Sequence, residues 1–236
     1  MGLHGLHGLL LDLDGTLIQF QIDYSQCREK TIEILEENGY PKDELSIETF
    51  VLKMLGKATH YFEQTLRYSD TQINAIKSQV DGEIAKVEYQ AALKAQPIPQ
   101  MEKLLKYAQE KNLKTGIITL NTSKNALVSL NRANLQQYFT DETLIVGRDQ
   151  TSNHKPHVDH AHTLLNRMHL TPEQVCVIGD HPSDIEVANN IGARSIAVVS
   201  PKHPREEFKT PYFVQQNNPY PKIIEILESF RIKSRE

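Results

Sequence analysis

The chain has 236 residues, 39% hydrophobic and 24% charged, enough to bury a core as one domain or as a domain with a sizeable insertion. A net charge of −4 gives no electrostatic attraction to nucleic acid or an anionic membrane, so neither is expected as a partner. Its 2 cysteines, Cys27 and Cys176, form no C-x-x-C or zinc spacing, which fits a reducing, cytoplasmic setting, and no apolar stretch approaches the roughly 18 residues of a transmembrane helix.

The first element is Leu9-Leu10-Leu11, which runs into Asp12-Leu13-Asp14-Gly15-Thr16-Leu17. A short apolar run closed by a turn signal reads as a strand buried on both faces, as in a parallel sheet. Buried acids are costly unless paired or bound to metal. Open α/β sheets bind ligands beyond the carboxyl ends of their strands, so two acids there point to a site.

From about Tyr24 to Ala95 the pattern is helical. One helix stops near Asn38-Gly39, with Pro41 beyond it. A second covers about Ile47 to Leu55, where Gly56 is expected to break it, and a third passes through Tyr61, Phe62 and Leu66 to Tyr68. Ser69-Asp70 can cap a long fourth, with Ile73, Ile76, Val80, Ile84, Val87 and Ala91 at helical spacing. Phe50, Tyr61, Phe62 and Tyr68 read as the core of this block. Arg67, Lys53 and Lys57 are its cations best suited to meet a second substrate anion.

After Pro97-Ile98-Pro99 strands and helices alternate. A helix through Met101, Leu104, Leu105 and Ala108 precedes a strand from Lys114 to Leu120. A helix from Lys124 to Ala133, a strand from Thr143 to Gly147 and a helix from Pro156 to Met168 follow. Gln174 to Gly179 is a buried strand ending in Asp180, and Pro182 opens the next helix. Arg194 to Val199 is a strand, Tyr212-Phe213-Val214 a short last one, and Pro221 to Phe230 the final helix. Such alternation implies βαβ units on a parallel sheet.

The strand ends carry Asp12 with Asp14, Thr119 with Asn121, and Asp180 with Asp184, while Lys155 lies on a loop. In a parallel sheet these ends share one edge. Several carboxylates round one point repel unless a cation lies among them, and hard oxygen donors favour Mg²⁺. Lys155 and the Thr119 hydroxyl would then meet an anionic group, as in a phosphoryl-transfer site.

Leu-Asp12-Leu-Asp14-Gly-Thr-Leu, Ile-Ile-Thr119, Lys155-Pro and Gly179-Asp180-His-Pro-Ser-Asp184 resemble, in order, the motifs of the haloacid dehalogenase superfamily. The helical block resembles, by position and length, the small cap of its phosphoglycolate-phosphatase-like subgroup. The resemblance implies an α/β, Rossmann-like doubly wound parallel sheet core over residues 1–17 and 96–236, with an all-helical cap domain over 18–95. It further implies a Mg²⁺-dependent phosphatase acting on a small phosphorylated metabolite, as a monomer or homodimer, with the cap closing over the substrate. Asp12 would be the nucleophile that becomes an aspartyl-phosphate, and Asp14 the general acid and base. Asp12, the Asp14 carbonyl, Asp180 and Asp184 would hold the metal. Thr119, the Leu120 amide, Asn121 and Lys155 would bind the phosphoryl oxygens.

The acid at position 14 argues against carbon–halogen chemistry, since the dehalogenases lack it. A sugar phosphomutase or a non-catalytic phosphometabolite-binding regulator would share the same fold. His154 flanks the lysine loop, His157, His160 and His162 read as a solvated helix start rather than a zinc site, and His181 reads as the rim of the site.

Overall fold

The computed structural model describes residues 5–19 and 22–232. In chain order its elements begin with β1 (Gly8–Leu11), β2 (Ile18–Gln19), α1 (Tyr24–Glu37), α2 (Val51–Tyr61) and α3 (Asp70–Ala92). Next are β3 (Gln96–Pro97), α4 (Met101–Glu110), β4 (Lys114–Ile118), α5 (Ser123–Arg132), β5 (Ile145–Val146) and α6 (Val158–Met168). β6 (Val175–Gly179), α7 (Pro182–Ile191), β7 (Arg194–Val199), β8 (Phe213–Gln215) and α8 (Tyr220–Ile232) follow. The chain divides into two compact units, Met1–Phe20 with Ala92–Glu236, and Gln21–Ala91.

The first unit is built on a sheet of order β5-β4-β1-β6-β7-β8, parallel at every pairing, so the α/β, Rossmann-like architecture implied by the alternating pattern is the one observed. Leu9, Leu10 and Leu11 are fully buried because β1 is central. Successive side chains of a strand point to opposite faces. Leu9 and Leu11 therefore join a core with Met101, Leu104, Ala126 and Leu227, and Leu10 joins another with Ala161, Leu164, Val187 and Ala188. Burying each leucine contributes about 1.5–3 kcal/mol, so an apolar run with no polar face is stable only between two helical layers. An antiparallel ribbon of β2 and β3, unexpected from a pattern of two residues per strand, pairs Ile18 with Pro97.

The second unit packs around Ile34, Leu35, Tyr40, Met54, Ala58, Phe62, Ile73, Ile76 and Val80. Gly56 does not break α2, which runs through it and ends in a π turn, Phe62–Leu66. Met54, Ala58 and Phe62 fall at intervals of four residues on one buried stripe, and their packing outweighs the roughly 1 kcal/mol that glycine costs a helix. Phe50 is a second correction. It precedes α2, is 71% exposed and lies under the Arg28 guanidinium, 5.5 Å from the ring centre, rather than in the core.

Two shorter differences fall in the first unit. Asp141 Oδ1 accepts from the Thr143 amide (3.0 Å) and starts a 3₁₀ turn over Glu142–Leu144, which leaves only Ile145 and Val146 to pair with β4. The helix expected from Pro156 begins at Val158. No helix among the described residues is long and apolar enough to cross a membrane.

Candidate active site

The strand order explains where the site forms. β1 has β4 on one side and β6 on the other, so the chain leaves the first strand in one direction and later returns in the opposite one. That reversal opens a crevice at the carboxyl ends. Asp12 follows β1, Thr119 follows β4 and Asp180 follows β6, so all three reach it.

The turn after β1 is tight. The amides of Leu17 and Ile18 both donate to the Leu13 carbonyl (2.9 and 3.0 Å), and the Gly15 amide donates to Ile18 O (2.8 Å). Gly15 has φ 86°, and a Cβ there would lie 2.0 Å from Asp180 Oδ2, so conformation and close approach both require glycine. The Gly15 carbonyl accepts from Gln216 Nε2 at 2.7 Å. Gly179 has a different constraint: a Cβ would meet Asp184 Cγ at 2.2 Å, so its absence lets the first turn of α7 close on β6.

Lys155 is the organising charge. Its buried Nζ donates to Asp12 Oδ1 (2.7 Å), Asp184 Oδ1 (2.6 Å) and the Ile118 carbonyl (2.9 Å), which employs all three ammonium protons. Burial alone would pull the ammonium down, but Asp12 and Asp184 raise it above the usual lysine range. Asp184 also accepts from the His181 amide (3.0 Å) within a capping box at the start of α7. The Thr119 hydroxyl donates to Asp14 Oδ2 (3.3 Å) and accepts from the Asn121 amide (3.0 Å). Asn121 is 3% exposed, and its Nδ2 has no hydrogen-bond partner among the described residues.

Carboxylate oxygens of Asp12, Asp180 and Asp184 all lie within 4.8 Å of one another. Asp12 is raised well above the ordinary range, first by burial and then by Asp184, Asp180 and Asp14, against the pull of Lys155. Asp180 is pushed up to about 6, again by burial first and by Asp184 next. Asp12 and Asp180 thus resist ionisation, chiefly through burial, and three carboxylates share one ammonium. The donors are hard oxygens, so a divalent cation such as Mg²⁺ fits them.

The folded state holds the Asp180 proton more tightly than the unfolded chain, so the metal-free fold loses stability as pH climbs from about 4 to about 6. A bound cation replaces the proton. Added Mg²⁺ should therefore raise Tm more at pH about 7.5 than at pH about 5, and Asp180→Asn should melt higher than wild type without metal and show no such response. Calorimetry with and without Mg²⁺ checks all three.

The structure thus joins Asp12, Asp180, Asp184 and Lys155 in one cluster, and Asp14, Thr119 and Asn121 in a second set of contacts. Leu120 is 44% exposed, and its carbonyl accepts from Arg148 Nη1 (2.8 Å). His181 caps α7, with Nδ1 accepting from the Ser183 amide (3.2 Å), and its ring meets His203 edge-on at 4.8 Å. His157 and His162 are exposed, as a solvated helix start requires, but His160 is fully buried and corrects that reading. The Gln216 contact had no sequence signal, because it spans 201 residues and depends on no motif.

The ends of the parallel sheet thus gather carboxylates round one lysine, a donor set suited to a cation and an anionic group. A model of the haloacid dehalogenase-like hydrolases matches residues 9–198, and the chain belongs to that family. It is 25% identical over 191 residues to a phosphorylated carbohydrates phosphatase of Thermotoga maritima, a match covering 81% of this chain and 84% of the relative. A phosphoglycolate phosphatase of Aquifex aeolicus is 24% identical over 197 residues, covering 79% and 82%. Among solved structures, the β-phosphoglucomutase of Clostridium difficile superposes with a TM-score of 0.63 at 16% identity, covering 96% of this chain and 99% of that one. That last likeness concerns the fold.

Proposed function

We propose that this hydrolase is a Mg²⁺-dependent phosphatase of a small phosphorylated metabolite, working through an aspartyl-phosphate on Asp12. The observation that carries the reading is the Asp12–Lys155–Asp184 bridge with Asp180 beside it. The phosphatase names of the sequence relatives support it. Asp12, Asp180 and Asp184 would hold the cation through carboxylate oxygens and Asp14 through its carbonyl. When bound, Mg²⁺ supplies charge that stabilises the transferring phosphoryl oxygens.

The remaining steps belong to side chains. An Asp12 oxygen attacks phosphorus, and the bond to the leaving oxygen breaks as Asp14 gives that oxygen its proton. Asp14 then removes a proton from water, which attacks phosphorus, and the bond to Asp12 breaks to release orthophosphate. The Thr119 hydrogen bond holds Asp14 close to the strand end. The Leu120 amide and Asn121 Nδ2 would take the phosphoryl oxygens, which gives the buried Nδ2 an acceptor, while Lys155, its three protons committed to Asp12, Asp184 and Ile118, would offset the negative charge beside them.

A Mg²⁺-dependent screen of phosphorylated metabolites tests the substrate class. One substrate should exceed the panel median in kcat/KM by about 100-fold, a difference of about 3 kcal/mol in transition-state binding. Orthophosphate should appear in step with substrate loss. An isomerised sugar phosphate in its place would make the protein a mutase, and a flat profile with tight binding would favour a regulator.

A further inference from the structure

His160 belongs to no motif quoted above and touches no reacting atom in the proposed mechanism. It is fully buried, on the face of the sheet that carries Ala161 and Leu164. Its Nδ1 accepts from the Lys155 backbone amide at 3.2 Å, and its Nε2 lies 2.9 Å from the Val146 carbonyl. A carbonyl only accepts, so Nε2 carries the hydrogen and Nδ1 the lone pair. One neutral tautomer satisfies both contacts, and an imidazolium could not accept from Lys155. Burial keeps the ring neutral, pulling its pKa down to about 4.

The Val146 carbonyl has a second donor, the Thr119 amide at 3.1 Å. Val146 is also the register partner of Ile118, whose carbonyl accepts from Lys155 Nζ at 2.9 Å. These contacts form a closed frame: Lys155 amide to His160, His160 to Val146, Val146 to Thr119, and Ile118 back to the Lys155 ammonium. The His154 ring stands edge-on at 6.1 Å and makes a separate contact, with the Arg148 carbonyl (2.8 Å).

We propose that His160 is a positioning residue that ties the Lys155 backbone to the strand end bearing Thr119, so that the Lys155 ammonium and, through the Thr119 hydroxyl, the Asp14 carboxyl are held as one rigid unit beside the phosphoryl group. The inference rests on the phosphatase reading for its catalytic consequence but not for its structural part. A mispositioned charge of this kind costs turnover rather than binding, since the transition state is more sensitive to geometry than the ground state.

The test uses the full chain and three variants. His160→Leu removes both hydrogen bonds at similar volume, His160→Asn keeps an acceptor near the Nδ1 position, and His160→Gln keeps a donor near the Nε2 position. In the wild type the Lys155 amide should exchange slowly with solvent, and ¹⁵N spectra should show a single neutral imidazole protonated at Nε2. In His160→Leu the amide should exchange about tenfold faster or more, and kcat on p-nitrophenyl phosphate should fall about 10- to 100-fold with a much smaller change in KM. His160→Asn should recover most of both losses and His160→Gln less. A folded His160→Leu with wild-type exchange and kcat overturns the proposal. If His160→Leu does not fold, equal behaviour of the Asn and Gln variants, or the reverse order, overturns it. Exchange and tautomer are read without substrate, so a wild type that hydrolyses nothing would sink the phosphatase reading and leave this one to be judged on its own.

Discussion

Asp12→Asn should lower turnover of p-nitrophenyl phosphate by about four to six orders of magnitude, the scale on which loss of a covalent nucleophile is felt. The amide has nearly the shape of the carboxylate but cannot attack phosphorus. It keeps an oxygen that can accept from Lys155 Nζ, now 2.7 Å from Asp12 Oδ1. It also removes a negative charge from a cluster whose burial and neighbouring acids already raise the Asp12 pKa. The metal-free Tm should therefore hold or rise while activity disappears. That separation is the diagnostic: a merely structural Asp12 would lose both together. Steady-state rates with excess Mg²⁺ beside a thermal melt measure it, and undiminished turnover in the pure variant would remove Asp12 from the mechanism.

Lys155→Met carries the second largest expected effect, on stability as well as rate. The ammonium side chain is 2% exposed, and it neutralises Asp12 and Asp184, themselves 8% and 0% exposed. Removing one partner of a buried ion pair leaves an uncompensated charge and costs about 3–5 kcal/mol. For a chain of this length that is a fall in Tm of about 10 °C in the absence of metal. Mg²⁺ should recover more of the loss in the variant than it adds to the wild type, because the cluster is then left with acids alone. A metal-free Tm within about 2 °C of wild type would show that the carboxylates are not held charged by this lysine.

Much of the site was legible because its chemistry conflicts with its surroundings. Asp12 and Asp180 end strands that are otherwise wholly apolar, and such a conflict signals function rather than packing. Thr119 and Lys155 were legible through their order relative to those acids. The same reasoning failed for His160, where the sequence shows only a polar residue near a helix start, and for Phe50, whose aromatic character said core while its place ahead of α2 left it 71% exposed. Gly56 misled in the opposite direction. Its helix-breaking tendency is real but small beside the packing of Met54, Ala58 and Phe62.

By itself the sequence determined the parallel α/β core, the helical character of the block from about Tyr24 to Ala95, and the residues gathered at the strand ends, because each is encoded within a few neighbouring positions as periodicity, capping or turn chemistry. Tertiary structure alone decided which of those residues touch. The Lys155 ammonium reaches Asp12 across 143 positions, and Gln216 reaches Gly15 across 201. The register of Ile118 against Val146 gives the Thr119 amide and His160 a shared carbonyl. Contacts of that kind arise from how strands align and layers pack, and local pattern carries no record of them.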